Sequence, residues 1–241
     1  MISKKIVKKR TEEIYTAGEY LANNPTWHEE DSPWKAGLIE KILARNSVHP
    51  GSICEVGCGA GEILNQLHAR LPADVVFSGY EISPQAYAIA AGKAKQRLNF
   101  YLKDLLQEHS CHFDVLLAID VFEHIEDYYG FLRQIRGKAE YKVFHIPLDI
   151  SVQRVLLAKP ILKRRRNVGH IHYFTKETAL ATLEDTGYEI VDHFYTAGSL
   201  DLPADSIIYS LGRLPLRLAC MINKDLAVRI LGGHSLLVLA R

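Results

Sequence analysis

The chain has 241 residues, of which 48% are hydrophobic and 24% are charged, and its formal net charge is +1. This length suffices for one large α/β domain or two small ones with a buried core. The near-neutral charge excludes a bulk electrostatic attraction to nucleic acid or to an anionic membrane surface. Any such role would have to come from a local patch of the chain.

The sequence carries no targeting or membrane-spanning segment that we recognise. The basic start MISKKIVKKR is followed at once by Glu12 and Glu13 rather than by an apolar segment, unlike a secretory signal. A run of about 18 apolar residues, the length of a membrane-spanning helix, does not occur. These features predict a cytoplasmic protein.

The four cysteines do not indicate a metal site. They form no C-x-x-C pair, and further ligands at the spacing of a zinc site are absent from the sequence around them. We therefore predict reduced, buried thiols and no metal. The cysteines are Cys54, Cys58, Cys111 and Cys220.

Two helices are predicted before the first strand. Residues 11–23 carry a periodic apolar stripe, and a second helix begins at Asp31-Ser-Pro33, where a capping side chain precedes a proline suited to the first turn. We expect residues 1–46 to form a helical cap on a main domain that spans residues 47–241.

Beyond residue 51, short apolar strands alternate with helices. The clearest strand is FDVLLAI, a continuous apolar run typical of a strand covered on both faces. Alternation at this spacing predicts a parallel sheet flanked by helices. The predicted strands are residues 52–56, 75–80, 99–102, 113–119 and 141–146, and the helices between them are residues 61–71, 83–97 and 128–136.

The C-terminal part departs from this repetition. Thr175 is predicted to cap a helix that Gly187 ends. Strands are predicted at residues 188–195 and 234–240. The stretches 150–169 and 198–233 are predicted to be irregular insertions that follow late strands of the sheet.

A glycine-rich turn follows the first strand, in the sequence Glu55-Val-Gly57-Cys-Gly59-Ala-Gly61. Glycines at alternate positions let the backbone turn sharply and let a ligand lie directly against it. The next strand ends at Glu81, where a carboxylate can accept both ribose hydroxyls of an adenosine, although it could also be a solvated strand end. Together these features predict a nucleoside site.

The glycine spacing distinguishes between nucleoside cofactors. A dinucleotide site uses G-x-G-x-x-G, whereas this chain has G-x-G-x-G. Glu55, two residues before the first glycine, would repel a pyrophosphate and attract an ammonium group. A nicotinamide dehydrogenase is therefore the weakest of the alternatives.

These segments resemble class I S-adenosylmethionine-dependent methyltransferases of the small-molecule, ubiquinone-biosynthesis-like branch. ICEVGCGAG is similar to the family's first motif, GYEIS to the strand with the ribose-binding acid, and YLKDLL to the adenine-binding segment. FDVLLAIDVFEHIED and GHIHYFTKETALATLEDTGYEIVD resemble the fourth-strand motif and the segment before the sixth strand. The resemblance covers about residues 50–195. It implies a Rossmann-like α/β fold with a seven-stranded, mostly parallel sheet in the order 3-2-1-4-5-7-6, the last strand antiparallel and helices on both faces.

The resemblance also implies S-adenosyl-L-methionine as the cofactor and a set of residues that bind it. Those around the methionine half would be Glu55, Gly57, Cys58, Gly59 and Gly61. Those around the ribose and adenine would be Glu81, Ile82, Asp104 and Leu105, with Asp104 alternatively only the cap of a short helix. Those at the end of the fourth strand, beside the point where strand order reverses, would be Asp120 and Val121.

Methyl transfer from a sulfonium is a direct displacement, which depends on holding the acceptor in line in a site closed to water. A hydroxyl acceptor also needs a base, for which histidine has a suitable pKa. We rank His124 first and His170 second, with His145 and His172 as further candidates; each has a structural role as its alternative. We predict O-methylation of a small molecule, with C- or N-methylation open.

The two insertions are expected to contact the substrate. Lys163-Arg-Arg-Arg166 is either a solvated loop or a site for an anionic or carrier-linked substrate. Residues 206–231 are predicted to be a helical lid, with a dimer surface or a shallow membrane contact as alternatives. Tyr20, Trp27 and Trp34 would complete the roof of the pocket.

Two other functions stay open at this point. One is a different transferase that uses the same cofactor or its decarboxylated form, and the other is a catalytically silent cofactor-binding module. The sequence does not indicate the oligomeric state, and we expect no nucleic-acid partner.

Overall fold

The computed structural model describes residues 24, 26–27, 29–202 and 214–241. The helix predicted at residues 11–23 lies outside the described residues. A 3-10 turn at Glu29–Asp31 leads into helix α1, Ser32–Arg45, with Pro33 in its first turn as predicted. The predicted cap is wrong, because Asp31 already has a helical backbone (φ −87°, ψ −13°) and its side chain does not cap the helix.

Seven strands of the described residues form one sheet in the order β3-β2-β1-β4-β5-β7-β6, which confirms the predicted fold. The first five strands are parallel, and β7 lies antiparallel between β5 and β6. The strands are β1 Ser52–Val56, β2 Val76–Glu81, β3 Leu98–Leu102, β4 Phe113–Ile119, β5 Ala139–Pro147, β6 Ile190–Thr196 and β7 Ser235–Ala240.

Helices cover both faces of the sheet, and the larger ones follow the prediction. They are α2 Glu62–Arg70, α3 Pro84–Ala91, α4 Tyr128–Arg136, α5 Val152–Leu157, α6 Lys159–Asn167, α7 Lys176–Asp185, α8 Gly198–Asp201, α9 Leu214–Ile222 and α10 Lys224–Leu231. Within the described residues, no helix is long and apolar enough to cross a membrane.

Two details of the predicted helices are wrong. Helix α3 ends at Ala91 rather than near Arg97, because the chain turns at Gly92 and Arg97 takes a left-handed backbone conformation (φ +63°) that leads into β3. The first insertion is helical rather than irregular, and the described residues of the second also contain helices, as the predicted helical lid requires. A side chain caps one helix in each insertion, since Ser151 accepts from the backbone N–H of Arg154 in α5 and Asn223 accepts from that of Leu226 in α10.

The core consists of two apolar clusters, one on each side of the sheet. Alternate residues of β4 divide between them: Val115 and Leu117 face helices α1 to α3, whereas Leu116 and Ala118 face α4 and α7. Such alternation follows from the two-residue period of a strand. It explains why the whole of β4 is apolar in sequence.

The strand order leaves one edge of the sheet open to a ligand. Strands β1 and β4 are neighbours at the centre, but the chain leaves β1 towards β2 and leaves β4 towards β5. The loops after β1 and β4 therefore diverge and open a crevice at the carboxyl ends of the strands, the usual ligand position in open α/β sheets.

Candidate active site

The glycine loop after β1 takes a left-handed backbone conformation at Gly57 (φ +65°), Gly59 (φ +54°) and Gly61 (φ +76°). At Gly59 an added Cβ would meet nothing nearer than the Trp27 ring at 3.8 Å, so the backbone is open to the crevice. At Gly61 a Cβ would lie 2.5 Å from Phe100, so this glycine serves the packing of α2 against the sheet. The predicted contact of Gly61 with the cofactor stays a prediction.

A cavity of about 1450 Å³ fills the crevice at the carboxyl ends of the strands. Nearly all predicted cofactor residues line it, and both predicted catalytic histidines do as well. Of the predicted set, Gly61 is not part of its wall. The predicted residues on the wall are Glu55, Gly57, Cys58, Gly59, Glu81, Ile82, Asp104, Leu105, Asp120, Val121, His124 and His170.

Glu81, at the end of β2, holds the glycine loop in place. Its Oε2 accepts a hydrogen bond from the Gly59 N–H (2.8 Å), and its Oε1 accepts from the N–H groups of Ile82 (2.9 Å) and Ser83 (2.8 Å). Burial raises the pKa of Glu81, and these donors act against that rise. A carboxylate has about four acceptor positions, so capacity for a ligand hydroxyl remains. The neighbouring Ile82 side chain is exposed and offers an apolar surface.

Glu55, at the end of β1, is a buried carboxylate whose Oε2 accepts no hydrogen bond from any described residue. Burial raises its pKa well above the usual range, Lys35 acts against the rise, and Glu81 adds to it. A buried acid without a partner is costly to the free protein unless a ligand supplies a positive group. This orphaned oxygen on the cavity wall fits the ammonium group of a methionine moiety.

Asp104 caps a short helical turn and also lies on the cavity wall. Its Oδ1 accepts from the N–H of Leu106 (2.9 Å) and so caps the 3-10 turn Leu105–Gln107. The same side chain lies on the cavity wall. The cap fixes its position at the end of the crevice nearest to β3.

Asp120, directly after β4, lies at the centre of an ion-pair network. It has a left-handed backbone (φ +54°), and its carboxylate contacts Lys35 Nζ (2.9 Å) and His145 Nδ1 (2.6 Å). His145 Nε2 in turn contacts Thr196 Oγ1 at 2.9 Å. Burial alone would raise the pKa of Asp120, but His145 and Lys35 outweigh it and hold that pKa far below its usual value. Sequence reasoning missed Lys35 and Thr196, since both come from distant segments.

The two candidate catalytic histidines meet at the far end of the cavity. The rings of His124 and His170 are T-shaped, with centroids 4.9 Å apart. Burial, and then the neighbouring His170, lower the pKa of His124 to about 4. His170 Nδ1 contacts Asp149 Oδ2 at 2.5 Å, and Arg154 donates to the other Asp149 oxygen at 2.6 Å. The carboxylate thereby fixes the orientation of the His170 ring, a pairing that sequence reasoning did not foresee.

The insertions and the N-terminal segment reach the same cavity. Trp27, Trp34, Arg154 and Leu202 lie on its wall. All four side chains of the basic cluster Lys163–Arg166 are exposed, and Arg164 is the one of them that also lines the cavity. Tyr20 and residues 206–213, which also belong to the predicted roof, lie outside the described residues.

Comparison with known proteins identifies the family. The sequence model of a family described as a methyltransferase domain matches residues 27–193, more than half of the chain. The chain belongs to the methyltransferase-domain family. This confirms the family predicted from the sequence, together with its Rossmann-like fold and S-adenosylmethionine as the family's cofactor.

Curated relatives of this methyltransferase-domain protein differ in the atom that they methylate. It is 30% identical over 117 residues to the ubiquinone biosynthesis O-methyltransferase of Azorhizobium caulinodans, across 43% of this chain and 45% of the relative. It is 27% identical over 132 residues to the ajmaline N-methyltransferase of Rauvolfia serpentina, across 50% and 45%. The chain thus spans less than half the length of either relative.

Solved structures of other proteins have the same fold. The N-methyltransferase NodS of Bradyrhizobium japonicum, solved in complex with S-adenosyl-L-homocysteine, matches with a TM-score of 0.60 and 18% identity. The match covers 97% of this chain and 98% of NodS. At this identity the similarity shows the architecture and not the substrate.

Proposed function

We propose that this chain binds S-adenosyl-L-methionine and transfers its methyl group to a hydroxyl oxygen of a small molecule. The observation that carries the proposal is the buried Glu55 carboxylate, whose Oε2 has no hydrogen-bond partner among the described residues. It lies on one cavity wall with the open backbone of Gly59 and with Glu81. Each of these groups matches a different part of the cofactor.

The cofactor-binding half of the cavity follows from the groups already described. Glu55 would receive the ammonium group, the backbone at Gly57 and Gly59 would face the methionine chain, and Glu81 would accept from the ribose. Ile82, Asp104 and Leu105 would surround the adenine. When bound, S-adenosylmethionine supplies an activated methyl group for a direct displacement. The protein's task is then to position the acceptor and to exclude water.

The acceptor half of the cavity favours a hydroxyl group and a negative charge on the substrate. His124 and His170 both face it, and Asp149 holds the His170 ring as an acid holds the base in a catalytic triad. Imidazole is a group that can take the proton of a hydroxyl. The guanidinium groups of Arg154 and Arg164 lie on the same wall and match a carboxylate or phosphate of the substrate.

Ligand binding is the first test of this proposal. A ligand that binds only the folded state at about 100 times its Kd stabilises that state by about 2.7 kcal/mol, which a thermal melt detects. We expect this shift with S-adenosylmethionine and S-adenosylhomocysteine and none with NAD. A shift with NAD alone would overturn the cofactor assignment.

Product analysis is the second test. The chain is incubated with methyl-labelled cofactor and paired acceptors that differ only in hydroxyl or amine, each with and without a carboxylate. We expect label on the hydroxyl compounds, more with the carboxylate present. Label on the amine alone would contradict the O-methyl assignment. Binding without transfer to any acceptor would favour the silent module, and transfer of another cofactor group would favour a different transferase. Cytoplasmic location stays a prediction.

A further inference from the structure

We propose that Glu123, His124 and His170 form a binding site for a divalent cation at the far end of the cavity. One carboxylate oxygen and two imidazole nitrogens, one from each residue, all lie within 4.8 Å of one another. Backbone hydrogen bonds also bring the two segments together, because the N–H groups of Ile171 and His172 both donate to the Glu123 carbonyl oxygen (3.0 and 3.1 Å). The turn after β4 and the segment before α7 are thus joined at the cluster.

The Glu123 side chain is the first independent sign of a ligand. The residue is fully buried, and among the described residues nothing donates a hydrogen bond to either of its carboxylate oxygens. His124 Nε2 lies 3.8 Å from Oε1, beyond hydrogen-bond distance. Burying a carboxylate in this way is costly unless a positive partner is present. A cation among these three residues would be that partner.

The orientation of His170 is the second sign. Its Nδ1 contacts Asp149 Oδ2 at 2.5 Å, so Nε2 is the nitrogen that remains for a ligand. Metal-binding histidines almost always have their other ring nitrogen held by a carboxylate or a carbonyl, which fixes the ring and increases its basicity. Arg154 anchors Asp149 in turn at 2.6 Å. The pairing thus matches the outer shell of a metal site.

The donor set indicates the class of cation. Two imidazole nitrogens and one carboxylate oxygen suit Zn²⁺ or another divalent transition metal such as Co²⁺, Mn²⁺ or Fe²⁺. Three protein ligands leave at least one coordination position, and His124 and His170 lie on the cavity wall, so that position faces the cavity. Sequence reasoning predicted no metal because the ligands come from two segments that share no recognisable spacing.

A cation here would act on the acceptor, an extension that rests on the proposed methyl transfer. An oxygen bound to such a cation loses its proton far more readily than in water. The hydroxyl group would then be activated by coordination, and His170 would serve as a ligand rather than as the base.

The test is a titration of chelator-treated protein with ZnCl2, MnCl2 or CoCl2, followed by calorimetry. We expect one equivalent of at least one of these ions to bind. Glu123→Gln and His170→Asn should each weaken binding at least tenfold, and Asp149→Asn about 10- to 100-fold. The matched control is His172→Asn, two residues from His170 but outside the cluster, which should leave the affinity unchanged.

Stability gives a second measurement that does not depend on catalysis. In chelator, Glu123→Gln should melt no lower than the wild type because a costly charge is removed, and with the ion added only the wild type should gain stability. Absence of stoichiometric binding, or equal binding by wild type, Glu123→Gln and His170→Asn, would overturn the site. S-adenosylhomocysteine titrations of the same samples test the cofactor assignment separately.

Discussion

Replacing Glu55 by glutamine tests the cofactor site most directly. The change keeps the shape of the side chain and removes the charge that would meet the ammonium group. A hydrogen bond to a charged group contributes about 1.5–3 kcal/mol, so we expect S-adenosylhomocysteine to bind about 10- to 150-fold more weakly. The free protein should be no less stable, because the substitution removes a buried charge whose Oε2 has no hydrogen-bond partner among the described residues.

Because the pKa of Glu55 is raised, ligand binding should also change the protonation of this side chain. Burial favours the protonated acid in the free protein, whereas an ammonium ligand favours the carboxylate. Binding should therefore release a proton wherever the pH lies below the raised pKa, and affinity should fall as the pH drops through that value. Calorimetry in buffers of different ionisation enthalpy measures the release, which Glu55→Gln should abolish.

Glu62→Gln is the matched control for this experiment. Glu62 also lies on the cavity wall, but its carboxylate already accepts from Asn65 and Gln66. We expect less than about a threefold change in affinity and no change in proton release, since the group already has its partners. Equal affinity and equal proton release for wild type and Glu55→Gln would refute the assignment of Glu55 to the ammonium group.

Three further substitutions test other parts of the structure. Gly59→Val should abolish S-adenosylhomocysteine binding, because a branched side chain would enter the cavity at a left-handed position (φ +54°); retained binding in a titration would contradict the role of the loop. Glu81→Ala should weaken binding by about 1.5–3 kcal/mol and also lower the melting temperature, because three backbone N–H groups lose their acceptor. Burial lowers the pKa of Lys142 to about 8 from its usual 10.5, so between these values the unfolded chain binds the extra proton and the free energy of unfolding rises with pH. Denaturation curves should show this rise in the wild type and not in Lys142→Met.

Local sequence signals predicted the frame of the fold and which residues of the glycine loop and strand ends share the cavity wall. Strand β4 and helix α4 have the predicted bounds, because a continuous apolar run and a strongly amphipathic segment are each unambiguous over their length. Glu55 and the glycines are neighbours in sequence, and Glu81 ends the adjacent strand. Their proximity therefore follows from the parallel sheet.

The acceptor half was less predictable because its contacts join distant segments. Lys35 reaches Asp120 from a helix that precedes the sheet, and Asp149 reaches His170 across an insertion. The helices of the first insertion were also missed, because α5 and α6 are too short to show a clear period, and α6 buries no residue on the core. Such contacts depend on tertiary packing rather than on local pattern.

The contact between Asp149 and His170 has a consequence for how this part of the chain can vary. Asp149 is the last residue before the insertion and His170 the first after it, and their side chains contact each other at 2.5 Å. This contact therefore holds the two ends of the insertion together. A segment of another length or composition can take its place at small entropic cost without moving the histidines. The groups that the insertion places on the cavity wall, such as Arg164, can therefore change while the contact between Asp149 and His170 is kept.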